Sequence, residues 1–235
     1  MRILGIIPAR GGSKGVPRKN IQLLAGKPLL YHTAAAALAS KRLARVVLST
    51  DDEEIAEVGQ RCGLEVPFLR PPELARDDTP TLPVLQDVVR RLEAVGDQYD
   101  AICLLEPTSP LRPVDWIDGC IQLLEHRNAD AVVTVLPVPA TYNPHWVFFA
   151  GDTGEMHLST GEETTRIVPR RQLLPPAFHR EGAVYVMRRD VLMIQNSLYG
   201  NHLLGYPVPP ERSVNIDTMA DFKHAESLFR EHRMS

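Results

Sequence analysis

Thirteen residues near the start of the chain, Pro8 to Asn20, constrain it more than any other stretch; they read PARGGSKGVPRKN. A short apolar run, Ile3 to Ile7, leads into them, and a segment of good helix formers begins near Pro28. Gly11, Gly12 and Gly15 let the backbone approach a ligand closely, so successive N–H groups can converge on one anion. Arg10, Lys14, Arg18 and Lys19 add positive charge, and the guanidinium of Arg10 matches two phosphate oxygens at once. Three glycines and four cations between a strand and a helix point to a polyphosphate ligand. Neither GxxxxGK(S/T) nor GxGxxG occurs here, so this is not one of the two common phosphate turns.

Charge along the chain supports that reading. The net charge of -3 excludes a generally basic nucleic-acid binder, yet residues 1–50 carry nine Lys and Arg and no Asp or Glu. A cationic first segment in an acidic chain suits a small anionic ligand. Lys41, Arg42 and Arg45 lie beyond the loop and read as the coat of a helix end. At 44% hydrophobic and 23% charged, the 235 residues fit one globular domain with a sizeable core. Cys62, Cys103 and Cys120 form no metal-finger spacing and cannot all pair, which suits a reducing cytoplasm. No apolar stretch is long enough to span a membrane, and the first apolar run is too short for a secretion signal.

Apolar periodicity then lays out the elements. Strands are expected at Arg2–Ile7, Val46–Ser49, Val66–Leu69, Ala101–Leu105, Ala131–Val135, Gly182–Met187 and Tyr206–Val208. Helices are expected at Pro28–Ala39, Asp52–Arg61, Thr81–Val95, Pro113–His126 and Thr218–Arg230. Their alternation predicts an α/β fold, a largely parallel sheet with helices on both faces. The pattern breaks between residues 139 and 178, which contain five prolines and no periodic helix. That segment reads as an arm inserted into a single domain, 1–235.

The glycine- and cation-rich loop resembles the signature of the acylneuraminate cytidylyltransferases, the CMP-sialic acid synthetases and their relatives. Their pattern is roughly hydrophobic-x-A-R-x-x-S-K-G-hydrophobic-x-x-K-N, and Ala9, Arg10, Ser13, Lys14, Gly15, Lys19 and Asn20 match it. The resemblance implies a Rossmann-like nucleotide-diphospho-sugar transferase fold with a mixed, mostly parallel sheet. It also implies CTP and an acid sugar as substrates, Mg²⁺ as cofactor, and a homodimer whose arm completes the neighbour's sugar site.

Four further segments carry the resemblance along the chain. Leu104 to Arg112, LLEPTSPLR, follows a strand and presents Thr108 and Ser109; Glu106 stands where the family has Gln, exchanging two donors for a charge. Arg70 to Thr81, RPPELARDDTPT, resembles the loop near the nucleotide base. There Pro71, Pro72, Leu74 and Ala75 supply a wall and Asp77, Asp78 and Thr79 a polar edge. Asp78 is equally a candidate cap for the next helix. Arg170 to Tyr185, RRQLLPPAFHREGAVY, places Arg171, Gln172, Glu181 and Tyr185 toward the sugar; Glu181 replaces the usual Asn, and Arg171 suits an α-keto-acid carboxylate. Ser213 to Asp221, SVNIDTMAD, has Asn215 and Asp217 where the family has two acids that hold Mg²⁺. One carboxylate can still serve, because Mg²⁺ keeps waters and takes substrate phosphates as ligands. Asp217 is otherwise a helix cap. His145 has no second metal-type partner at a useful spacing and reads as structural or substrate-facing.

The expected reaction is attack of a nonulosonic acid on the α-phosphate of CTP, with Arg10, Lys19 and Asp217 as catalytic residues. Gly11, Ser13, Lys14 and Asn20 complete the phosphate site. Two alternatives stay open at this stage. One is activation of another sugar, such as Kdo or a sugar phosphate with a different nucleotide; the other is a nucleotide-binding module without turnover.

Overall fold

A computed structural model describes residues 1–234. The chain begins with β1 (Ile3–Pro8), whose Ile3, Leu4, Ile6 and Ile7 are all fully buried. Full burial of such side chains stabilises by roughly 1.5–3 kcal/mol each. The glycine-rich loop ends in a small hairpin, β2 (Leu23–Leu24) and β3 (Lys27–Pro28), and α1 (Leu29–Ala39) follows with Pro28 at its cap. Next come β4 (Arg45–Ser49), α2 (Glu53–Arg61), α3 (Thr81–Ala94), β5 (Ala101–Leu105), α4 (Val114–His126) and β6 (Ala131–Pro137). A second hairpin, β7 (Phe148–Ala150) and β8 (Met156–Leu158), precedes β9 (Phe178–Arg188), α5 (Arg189–Met193), β10 (Leu203–Pro207) and α6 (Met219–Met234).

Six strands form one sheet in the order β10-β6-β9-β5-β1-β4. Five run parallel; β9 is antiparallel to both of its neighbours, β5 and β6. Period-2 alternation divides the core into two layers. Ile3 and Ile7 of β1 pack with α1, α2 and α4 on one face, while Leu4 and Ile6 pack with α3 and α5 on the other. Cys103 and Cys120 are buried on the first face, and Cys62 is half-buried; all three are free thiols. No helix among the described residues is long and apolar enough to cross a membrane.

Three expectations change. Val66–Leu69 is not a strand: beside β4 only a single bridge forms, from Val47 to Glu65, because Pro67 lacks the N–H that the ladder requires. Asp78 does not cap α3, whose cap position is Pro80 with no side-chain bond. Arg42 and Arg45 are more than a coat: Arg42 pairs with Glu125, and Arg45 pairs with Glu65 and Asp97.

A third, smaller cluster joins distant parts of the chain. Val16, Leu24 and Leu29 pack against Val214, Ile216, Phe222 and Ala225. It fastens the glycine-rich loop to the NID segment and to α6. Residues 139–177 form four single-turn helices and the β7–β8 hairpin, held by bonds such as Trp146 Nε1 to the Val168 carbonyl, 2.6 Å. Tyr142, Phe149, Met156 and Leu173 of this segment are exposed.

Candidate active site

From β1 the chain passes to β4 on one side of the sheet; from β5 it passes toward β6 on the other. The loops after β1 and β5 therefore diverge, and a crevice opens at the strands' carboxyl ends, where open α/β sheets bind ligands. A cleft of about 200 Å³ lies there, lined by Arg10, Ser13, Lys19 and Asn20 from the first loop and Glu106 and Thr108 from the second. Arg70, Thr79, Thr81 and Val84 close its far side.

The glycine-rich loop is fixed from several directions. Ala9 is buried and bonds to the Ser49 carbonyl, 2.9 Å, and the buried Asn20 amide donates to the Arg10 carbonyl, 3.0 Å. Further loop N–H groups are already used, Gly11 on Asp51 (3.1 Å), Ser13 on the Gly11 carbonyl (3.1 Å) and Lys19 on the Val16 carbonyl (3.2 Å). Convergence of N–H groups is thus less complete than the glycines suggest, and the side-chain cations carry more of the anion-binding capacity. Gly15 is required for packing: a Cβ there would overlap the carbonyl oxygen of Asp217.

The four cations do different things. Arg18 forks onto Asp52, the cap of α2, and reaches Glu54, so it anchors the loop. Arg10 and Lys14 share one counter-ion, Asp77, at 2.9 and 2.5 Å. Those hydrogen bonds and charges hold the Asp77 carboxyl below the usual range, the contact with Lys14 contributing most. Lys19 is mostly buried, its Nζ 2.6 Å from the Ile216 carbonyl and 3.4 Å from Asp217 Oδ1.

Asp217 sits opposite Lys19, with Oδ2 accepting from Asn215 Nδ2 at 2.6 Å. It does not cap α6. That task belongs to Thr218 and Asp221, whose side chains each accept the other's N–H, at 3.3 and 2.8 Å. Asp217 is left exposed beside the cleft with one amide neighbour. No cluster of three or more acids, His or Cys suited to a metal occurs among the described residues. A lone carboxylate with an adjacent amide fits a hard cation that takes most ligands from phosphate and water.

A second cavity of about 300 Å³ adjoins the first. Glu106 and Thr108 line both, and Arg180, Glu181, Gly182, Tyr185 and Asn215 complete it. Glu106 thus stands on the wall between the two. Burial raises its carboxyl to about 7, against Arg112, Lys19 and Arg70, which pull it down. Arg112 organises the turn behind it. This buried guanidinium donates to the carbonyls of Glu106 (3.1 Å) and Ala183 (2.8 Å) and to Thr33 Oγ1 (2.9 Å), and burial pushes its pKa down to about 10. Ser109, buried within that turn, lines neither cavity.

Other expected contacts are placed differently from one another. Thr79 lines the cleft, whereas Pro71 and Asp78 do not. Tyr185 faces the second cavity. Glu181 borders it too, but its carboxylate is engaged with Thr134 Oγ1 (2.8 Å), the Ala183 N–H (2.8 Å) and Ser213 Oγ (2.9 Å). Arg171 and Gln172 lie exposed on a single-turn helix, away from both cavities. His145 pairs with Glu162 at 3.4 Å. Sequence reasoning assigned no role to Arg70, Arg112 or Arg180. Arg70, buried and bonded to Ser49, was visible only as the first letter of its motif.

The sequence model of the cytidylyltransferase family matches residues 4–205, most of the chain. The chain belongs to the cytidylyltransferase family. The CMP-N,N'-diacetyllegionaminic acid synthase of Legionella pneumophila is 32% identical, over 97% of this chain and 96% of its own length. The pseudaminic acid cytidylyltransferase of Campylobacter jejuni is 30% identical over 98% and 97%. Among solved structures, a CMP:2-keto-3-deoxy-manno-octonic acid synthetase complexed with CTP superposes with a TM-score of 0.73. That match covers 99% of this chain and 100% of that one at 17% identity, a likeness of fold. The expected fold and enzyme family are both borne out.

Proposed function

We propose that the protein couples CTP to a nonulosonic, sialic-acid-like α-keto acid, giving the CMP-sugar and pyrophosphate. The observation that carries this is the pair of joined cavities, one flanked by the cationic loop and the other entered past Glu106 and Thr108. Near-full-length relatives named for legionaminic and pseudaminic acid support the substrate class.

In this reading the triphosphate occupies the first cavity, held by Arg10, Ser13, Lys14 and Lys19. The sugar occupies the second. Its anomeric hydroxyl oxygen bonds to the α-phosphorus as the bond to the bridging oxygen breaks; the hydroxyl proton is lost and pyrophosphate leaves. Positioning and charge stabilisation dominate such transfers. Lys19 lies where charge grows on the leaving group, and reaching Arg10 and Lys14 requires the nucleotide to displace Asp77. Asp217, with Asn215, would hold Mg²⁺, which supplies positive charge to the phosphates when bound.

The arm at residues 139–178 is read as a dimer contact, supported by its exposed Tyr142, Phe149, Met156 and Leu173. Arg171 and Gln172 then border the site of a neighbouring copy. The test is pyrophosphate release from each of the four NTPs with a panel of nonulosonic acids, Kdo and sugar phosphates. Turnover with CTP and a nonulosonic acid is expected. Turnover with another nucleotide and a sugar phosphate, or binding without release, would overturn the reading.

A further inference from the structure

The β6–β9 ladder breaks beside the second cavity. Val133 pairs with Tyr185 and Val135 pairs with Arg180, so Thr134 alone faces residues 181–184 of β9. In an unbroken strand, Arg180 and Tyr185, an odd number of residues apart, would point to opposite faces. The bulge instead turns both into the same cavity, with Arg180 Nη1 3.3 Å from the Tyr185 hydroxyl. Bulges commonly re-aim a side chain next to a site.

This bulge is built rather than tolerated. Gly182 takes a φ of 91°, which a side chain would strain. Thr134 Oγ1 accepts the Val184 N–H at 3.1 Å, and Glu181 accepts the N–H of Ala183, so N–H groups of the interrupted ladder are satisfied. Glu181 also holds Ser213, which ties the bulge to the NID segment.

Arg180 is the sole cation lining this cavity and makes no ion pair among the described residues. Arg180 also hydrogen-bonds Tyr199, and of its five guanidinium N–H groups those not used by Tyr185 and Tyr199 still suffice for a two-to-two match with a carboxylate. Two acids, Glu106 and Glu181, also line the cavity, so an anionic sugar entering it needs a positive partner there.

We propose that Arg180 binds the carboxylate of the acid sugar from within the same protomer and selects acid over neutral sugars. The assignment rests on the second cavity being the sugar site. Arg171, exposed on the arm, does not reach this cavity within its own protomer.

The test compares wild type, Arg180→Gln, Arg180→Lys and Arg171→Gln at saturating CTP. Substrates are N-acetylneuraminic, N,N'-diacetyllegionaminic and pseudaminic acids, with the carboxamide of whichever acid turns over. Arg180→Gln should raise KM for the acid about 10- to 100-fold, the range for a lost charged hydrogen bond, and leave KM for CTP within about twofold. The preference for acid over carboxamide should fall by a similar factor. Arg180→Lys should recover part of it, restoring charge without the fork. Arg171→Gln, which alters only the border contributed by a neighbouring copy, should lower the preference less than Arg180→Gln does. Undiminished preference in Arg180→Gln, or a larger loss in Arg171→Gln, overturns the assignment while the cytidylyltransferase reading stands. Wild-type turnover on neutral sugars alone overturns both.

Discussion

Replacing Glu106 with Gln should make the protein more stable at and above neutral pH. Burial at the end of β5 raises this carboxyl from 4.5 to about 7, with Arg112, Lys19 and Arg70 opposing. Between those values the folded protein holds a proton that the unfolded chain has released, so stability falls as pH rises through the window. At about 1.4 kcal/mol per unit, the shift sets a ceiling of about 3 kcal/mol. Glu106 retains some solvent contact, and screening reduces the effect to about 1–2 kcal/mol. Gln is close in size and cannot ionise. Glu106→Gln should therefore match wild type near pH 4.5 and exceed it by about 1–2 kcal/mol at pH 8. Urea unfolding across this range, without nucleotide or metal, measures the difference. A difference that stays constant from pH 5 to pH 8 would refute the argument that burial controls this group.

Two further outcomes follow from the loop and from its partner segment. Gly15→Ala should push the glycine-rich loop away from Asp217 and lower kcat/KM about 100-fold, since a displacement on the order of 1 Å can cost that much; retention within threefold would show that the loop gives way freely. Asp217→Asn should abolish pyrophosphate release and weaken Mg²⁺ binding in the presence of CTP at least tenfold, with Asn215→Ala costing less. If calorimetric titration of Mg²⁺ with CTP bound is normal for Asp217→Asn and lost for Asn215→Ala, the metal belongs to the other residue.

The legible parts of this fold were those coded locally. β1, β5 and the α3 stripe announce themselves as apolar runs or as helical spacing, and the structure places them within a residue or two of expectation. Helix α5 is only five residues long, too short for any period to register. Pro67 within an otherwise strand-like run cancelled the strand beside β4. Which strand runs antiparallel could not be read from spacing: β9 returns from a long insertion and slots between β5 and β6, a placement that depends on the sheet rather than on its own residues. The site divides the same way. Arg10, Ser13, Lys19, Asn20 and Thr108 were named by loop chemistry, and they meet in one cleft. Arg171 is favoured by its motif, yet within one protomer it does not line the second cavity. Arg180 was passed over because alternation along a strand hides a bulge.

The small cluster that joins Val16 and Leu24 to Val214, Ile216 and Phe222 also sets a timetable. Lys19 must wait for Ile216, a partner 197 positions later in the chain, before its amine is held in place. At about 5–20 residues per second, synthesis separates the two by roughly 10–40 s. During that interval most of the sheet's strands have emerged and the cationic loop has met Ser49, Asp51 and Asp52, but the Lys19 amine still lacks the carbonyl that holds it. A nascent chain can therefore acquire its scaffold well before it acquires its chemistry, and the segment around Ile216 is the one that completes the site.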